Sequence, residues 1–477
     1  MALTLSQKVL VALCVLLGFG VTHFIMVKTV HHSTKAIILR AEFVLALETI
    51  LACVSVIIWR TFAPCFNTHS KFNHLRTAST MNGVPQRKSS HDDRQSFNDG
   101  STSSKGEWSF FKVLLLVFLF LCHCSYLTNI IFISKEPYWY AMLCYICLGA
   151  YIQLVVGLII GKIALFILHQ TPLKLKRNQQ DMETKVVIFI AILYSLLASM
   201  LGLYTASKPP PVRHVKIPVR DLPSNLDGLS IVQISDIHLG PTVGFTKLDM
   251  IVDIVNTQEA DIVVLTGDLV DGKVQSLRSA AKPLGRVLSK YGNFFVSGNH
   301  EYYTGDVDNW FSYVRSLGFV VLHNSNVQVP AKVTGNQGQI CVAGADDIQA
   351  DSVGYPGHRF DVASAVNGCS ESQPVILLTH QPRAAKRALD SNHKIDLVLS
   401  GHTHGGQVFP MILGAYLLNP FYLGLYQYGP AGSHVYVNEG TQYWGIPMRI
   451  GTSTEITHIT LTKADHLQGE KDCSTQK

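Results

Sequence analysis

The chain has 477 residues, 47% hydrophobic and 15% charged, with a formal net charge of +6 and a mean hydropathy of +0.22. Soluble globular chains carry roughly a quarter charged residues, so the balance excludes a disordered protein, a coiled coil and an ordinary soluble enzyme along the whole length. The charge is uneven, net +9 over residues 1–204 and net −3 over residues 205–477, which predicts a membrane half followed by a soluble half large enough for its own core.

A hydrocarbon layer about 30 Å thick takes about 20 apolar residues of helix to cross. Residues 9–27, 110–133, 138–160 and 186–204 meet that length cleanly. Residues 36–59 are long enough but include Arg40, Glu42 and Glu48. Arg40 and Glu42 lie near the start of that segment, where they can reach the interface. Glu48 is left at depth, facing a cavity or a partner, or tucked neutral between helices. About five transmembrane helices are expected. No small-residue cleavage site follows the first, so it does not read as a cleaved signal peptide.

Residues 61–107, rich in Ser, Asn and His, read as a disordered loop. Residues 205–221 open with TASKPPP and read as a stiff linker. Residues 222–465 form the soluble domain and 466–477 a tail. Cys144 and Cys147 form a CxxC without a second pair, inside a helix, and read as packing residues. Cys341 and Cys369 are either a disulfide, if the domain lies outside the cytosol, or free buried thiols.

With five spans, fourteen Lys and Arg flank one side of the membrane and eight the other. The richer side is expected to be cytoplasmic, which puts the C-terminal domain outside the cell or in a lumen. The chain has no Asn-x-Ser/Thr sequon, which pulls the other way, and the orientation inverts if 36–59 does not cross. The basic pI comes from the membrane half, so no nucleic acid is expected as a partner.

In the soluble half, short apolar runs at 229–234, 261–265, 294–296, 374–378 and 395–399 read as buried strands. Amphipathic patterns such as 247–255 and 275–290 fall between them. Continuous apolar strands separated by helices predict an α/β layered fold. Ligands in such folds sit beyond the carboxyl ends of the strands. There the sequence places Asp236 and His238, then Asp268 and Asp271, then Asn299, His300 and Glu301, then His380, then His402 and His404. Alone, an Asp-x-His or a Gly-Asp is a turn or a cap. Five successive strand ends that each deliver Asp, Asn or His are not five coincidental turns.

The order D-x-H, G-D-x-x-D, G-N-H-E, H, G-H-T-H resembles the calcineurin-like metallophosphoesterase superfamily over residues 229–461. SGHTHGGQ followed by YVNEG is similar to its membrane-attached bacterial-type subgroup. The resemblance implies a four-layer α/β/β/α sandwich behind the multi-span α-helical membrane region. It implies two divalent metal ions. Asp268 would bridge them, Asp236, His238 and His404 would complete one, and Asn299, His380 and His402 the other. Mixed imidazole and carboxylate ligation suits Mn, Fe, Zn or Ni better than Ca. His300 matches the residue placed to donate a proton to the leaving group or to stabilise the transition state, and Asp271 is placed to hold its ring. Glu301 belongs to the motif without a role that the sequence supplies.

Two metals about 3.5–4 Å apart supply the charge neutralisation that phosphoester hydrolysis needs. The expected function is therefore a membrane-anchored, metal-dependent phosphoesterase acting on a phosphodiester. A lipid headgroup presented by the bilayer is among its candidate substrates. A phosphomonoesterase stays open, as does a non-catalytic transporter or scaffold that binds a phosphoryl ligand. Loops 306–312 and 416–428 are expected to line the pocket. His323, His358, His393, His434 and His458 read as ordinary surface or satisfied histidines.

Overall fold

A computed structural model describes residues 30, 32–66, 110–133, 138–170, 180–332 and 338–464. Four of its helices are long and apolar enough to cross a membrane. They are α1 (His32–Phe62), α2 (Phe110–Ile131), α3 (Trp139–Gln170) and α4 (Gln180–Ser207). The stretches 36–59, 110–133, 138–160 and 186–204 fall on them, while 9–27 lies outside the described residues. The loop expected from residue 61 starts later than the sequence suggested. Helix α1 continues to Phe62 and a 3-10 turn to Phe66, because Phe62 is buried among the membrane helices.

The four helices alternate in direction. Phe43 of α1 meets Tyr126 of α2, and Glu48 meets His123. Helices α3 and α4 approach so closely that a Cβ on Gly157 would stand 3.0 Å from Ala191 Cα, the small-residue contact typical of membrane helix pairs. Glu48 has a partner at depth: its Oε2 is 2.6 Å from His123 Nδ1. The chain of contacts continues from His123 Nε2 to the Ser55 hydroxyl and on to Tyr151, each step 3.2 Å. Pairing of this kind is what lets an acidic residue sit inside the bilayer.

Beyond α4 come two six-stranded sheets. The first runs in the order β1 (Val212–Val219), β12 (Ile456–Lys463), β2 (Ser230–Ile234), β3 (Ile262–Thr266), β4 (Asn293–Val296), β5 (Phe319–Val321). The second runs β10 (Gly424–Tyr428), β11 (Ser433–Val437), β9 (Leu397–Ser400), β8 (Val375–Leu378), β7 (Ile340–Gly344), β6 (Ser325–Val329). Side-chain alternation along each strand builds the layers. Ile262 and Val264 of β3 enter a core shared with Leu397 and Leu399 of β9. The intervening Val263 and Leu265 lie under the helices Phe245–Asn256 and Val274–Ala281. Val398 of β9 lies under the helix Pro382–Leu389 on the opposite outer face. The result is helices, sheet, sheet, helices. Gln233 links the two sheets, donating to Thr266 Oγ1 and to the Ser400 carbonyl at 2.9 Å each.

Residues 205–221 are not a simple linker. Helix α4 runs on to Ser207, and after the three prolines β1 pairs in parallel with β12 over its full length. The domain therefore begins at Val212, ten residues before the expected boundary at 222. Prolines suggested a spacer, but Ile217 and Val219 are buried against the sheet's inner face. The helix expected at 275–290 is shorter as well. It ends at Ala281, where Pro283 limits it to a 3-10 turn. Cys341 and Cys369 are joined as a disulfide.

The domain is docked on the membrane helices. Tyr138 N donates to the Pro241 carbonyl at 2.9 Å, and Arg449 N to the Gly202 carbonyl at 3.0 Å. Gln153 Nε2 donates to the Phe409 carbonyl at 2.7 Å. Val408, Ile446 and Met448 pack in the same apolar cluster as the membrane helices.

Candidate metal centre

Strands β2, β3, β4, β8 and β9 each end just before one of the five sequence motifs. Three belong to the first sheet and two to the second, so the polar residues meet at the seam between the sheets. The crowding there requires glycine at two close approaches. A Cβ on Gly298 would collide with the Asp268 carboxylate, and one on Gly401 with that of Asp236. Asp236, His238, Asp268, His402 and His404 all adopt left-handed backbone, with φ of 50 to 75°. Such conformations cost of order 1–3 kcal/mol each and concentrate at functional sites.

Six of the seven expected ligands fall into two neighbouring groups, and the seventh, Asn299, lines the same cavity. Asp236, His238 and His404 form one group, and Asp268, His380 and His402 another. In the first, His404 Nε2 is 3.0 Å from His238 Nε2 and 3.4 Å from Asp236 Oδ1. In the second, His380 Nε2 is 3.1 Å from Asp268 Oδ2 and 3.3 Å from His402 Nδ1. Asp268 Oδ2 also lies 3.6 Å from His238 Nε2, so one oxygen faces both groups. Among the described residues, the buried Asn299 Oδ1 has no hydrogen-bond partner. An orphaned buried acceptor costs about 1–3 kcal/mol. A cation removes that cost, and the donor set of oxygens and imidazole nitrogens fits divalent ions.

Protonation favours the same use. Burial, and then the charge on His380, push the His402 pKa down to about 3. Burial likewise holds His404 well below the usual imidazole range. Both rings are thus neutral with a lone pair to offer. Asp271 accepts from two rings at once, His238 Nδ1 at 3.0 Å and His300 Nδ1 at 2.7 Å. Fixing Nδ1–H on His238 leaves its Nε2 free to ligate. Burial opposes charge on His300, but the carboxylates of Asp268 and Asp271 outweigh it and raise its pKa to about 9. The His300 ring is cationic at neutral pH, with Nε2–H directed into the site and 3.9 Å from Asp268 Oδ2.

Several residues of the site escaped the sequence. Glu301 is fully buried and accepts from Gly298 N at 2.6 Å, Asp268 N at 3.0 Å and Leu269 N at 2.8 Å. It binds the β3 loop to the start of the helix Asn299–Tyr303, which is the role the motif alone did not supply. Arg449, also buried, donates to the carbonyls of His404 at 2.6 Å and Glu439 at 3.0 Å, holding the His404 turn from beneath. Trp444 stands edge-on to His300, ring centres 5.3 Å apart. Nothing local in the sequence marks Arg449 or Trp444, which reach the site from the loop between β11 and β12. His323 and His358 are satisfied histidines, and both lie beside Asp346. His358 already bonds Asp308 at 3.0 Å and Tyr302 at 3.1 Å, so the cluster is a hydrogen-bonded brace.

A cavity of about 440 Å³ opens at the centre. Loops 306–312 and 416–428 do not line it. Its far wall is made by membrane helices: Leu39, Arg40, Phe43 and Val44 of α1, with Tyr126 and Asn129 of α2.

A family model described as calcineurin-like phosphoesterase matches residues 229–406. A Bos taurus protein named transmembrane protein with metallophosphoesterase domain is 45% identical over 359 residues, covering 74% of this chain and 81% of its own. A Danio rerio protein of the same name is 40% identical over 440 residues, covering 91% of this chain and 92% of its own. A putative metallophosphoesterase of Caenorhabditis elegans is 36% identical, with 74% of each chain covered.

Replacing Glu301 strands the four buried N–H groups it satisfies, those of Gly298, Asp268, Leu269 and Val270. Glu301→Ala is expected to destabilise the domain by about 2–4 kcal/mol and to lower its metal content. Thermal unfolding and metal analysis check both. Unchanged metal content would mean that the β3 loop holds Asp268 without Glu301.

Proposed function

The chain belongs to the calcineurin-like phosphoesterase family, and from that premise we propose that it is a two-metal phosphodiesterase whose substrate is a lipid headgroup. The observation that carries this reading is the composite cavity, metal-binding side chains on one wall and membrane helices on the other. Arg40 and Arg60 stand 20 residues apart on α1, about 30 Å of helix, which is the thickness of the hydrocarbon. Arg40 then lies at the interface on the domain's side. A phosphoryl group held by a lipid would meet the Arg40 guanidinium and the metal ligands together, its tails against Leu39, Phe43 and Val44.

Asp236, His238, Asp268 and His404 would hold one ion, and Asp268, Asn299, His380 and His402 the other. When bound, the two ions would neutralise charge on the phosphoryl oxygens and acidify a water. The chain's own contribution to bond breaking is His300, whose Nε2–H is placed to protonate the departing alkoxide. Asp271 accepts from Nδ1–H and favours the doubly protonated ring, so that Nε2 has a proton to give.

The domain is assigned to the outside of the cell or an organelle lumen. The C-terminal ends of α1 and α3 lie on the face away from the domain, and the sequence carries thirteen Lys and Arg from Arg60 to Lys112 and from Lys162 to Lys185. That excess marks the cytoplasmic side. The Cys341–Cys369 disulfide agrees, since cytosolic thiols are kept reduced. Alkylation of unbroken, thiol-quenched cells is expected to leave both cysteines unlabelled until reductant is added. Labelling without reductant would put the domain in the cytosol.

The full chain in lipid nanodiscs, loaded in turn with Mn, Fe, Zn or Ni, is expected to cleave phosphodiester lipids faster than phosphomonoesters. Hydrolysis of monoesters alone, or of neither, overturns the assignment. His300→Ala is expected to retain metal and lose about 10²–10⁴ in kcat on alkyl esters, with most of the loss recovered on a nitrophenyl ester. Loss of metal from that variant would make His300 a ligand. Arg40→Gln removes a charged contact to phosphate, typically about 1.5–3 kcal/mol, so KM for a lipid substrate is expected to rise at least tenfold. Steady-state kinetics separates that from an effect on kcat.

A further inference from the structure

The helix Met411–Leu418, sequence MILGAYLL, buries none of its residues in the protein. Met411, Leu413, Tyr416, Leu417 and Leu418 are 49 to 77% exposed. No Asp, Glu, Lys or Arg occurs anywhere from residue 405 to 438. A contiguous apolar helix of this kind marks an interaction site.

Its position identifies what covers it. Phe409, two residues earlier, is hydrogen-bonded through its carbonyl to Gln153 of α3. Gln153 lies nine residues before Lys162, about 13 Å of helix. Lys162, the one Lys, Arg, Asp or Glu of α3, lies in the part of that helix away from the domain, eight residues before its end at Gln170, and marks the edge of the apolar stretch, so Phe409 sits near the middle of a hydrocarbon layer about 30 Å thick. Val408 and Ile450 pack among the spanning helices, so the chain has reached membrane depth when the helix begins. A helix satisfies its own backbone and tolerates lipid there. At its other end the Leu418 carbonyl accepts from Arg383 at 3.1 Å, a cation suited to the interface.

We propose that Met411–Leu418 is a re-entrant helix immersed in the bilayer beside the spanning bundle, its occupant surface being lipid acyl chains. The helix is tied directly to the metal-binding turn. Ile412 packs on Gly406, and a Cβ added to that glycine would collide with Ile412 Cα. Tyr422, just after the helix, donates to the Gly405 carbonyl at 2.7 Å and accepts from Thr403 through its own carbonyl at 2.8 Å. Sinking the helix in lipid therefore fixes the depth of His402 and His404 at the membrane surface. The inference rests on contacts and does not need the site to be catalytic.

The test places a photoreactive benzophenone residue at Leu417 in the full chain, reconstituted in phosphatidylcholine vesicles. Leu196, exposed on α4, serves as the lipid-facing reference. Ser372, exposed ahead of β8 and so at the strand end opposite the site, serves as the aqueous one. Leu417 is expected to give phosphatidylcholine adducts, read by mass spectrometry, at the level of Leu196 and well above Ser372. A Leu417 yield equal to that of Ser372 overturns the proposal. So does a crosslinked dimer in place of lipid adducts, which would make a second copy the partner. Leu413 labelled in the same way provides a second site, so that misfolding of one variant does not decide the outcome.

Discussion

The Asp268 carboxylate is buried at the seam of two sheets, facing imidazoles from both. Burying an unpaired carboxylate costs several kcal/mol even after relaxation. Here His380 from the second sheet lies 3.1 Å away and His238 from the first 3.6 Å, and His300 N donates at 2.9 Å. Glu301 secures the loop that presents it. The inter-sheet packing, the left-handed turns and the glycine approaches at Gly298 and Gly401 are all arrangements that bring one carboxylate oxygen to imidazole nitrogens of two groups. Gln233 fixes the same seam one layer deeper by bonding across it.

A second constraint acts at right angles to the first. The domain is held against the membrane helices by hydrogen bonds from Tyr138, Gln153 and Arg449 and by an apolar cluster drawn from both halves. In lipid such polar contacts have no water to compete with them. The docking turns the strand ends toward α1 and α2, and the cavity closes only with their side chains. The membrane half thus supplies a wall of the site, and separating the two halves would open it.

Asp271 shows how the two demands meet in one residue. Its single oxygen orients both His238, a candidate ligand, and His300, the candidate proton donor. Burial works against its charge, but the two imidazoles outweigh that and hold its pKa well below the usual carboxylate range. One fixed anion therefore sets the tautomer of one ring and the protonation of the other.

The sequence determined the membrane and soluble halves and the five strands that end in Asp, Asn or His, the residues that meet in the two side-chain groups. These features are local: apolar length decides a span, and a polar residue after a buried strand is readable in a few positions. Helix ends and the start of the domain were less legible, because burial of Phe62 and the pairing of β1 with β12 depend on residues far along the chain. Tertiary structure alone decided that Glu48 meets His123, that Cys341 meets Cys369, and that Arg449 and Trp444 reach the centre from a distant loop. It also decided that Arg40, which in the sequence is only an awkward charge in an apolar segment, forms part of the cavity wall. Each of these is a contact between segments whose separation in sequence carries no information about their distance in space.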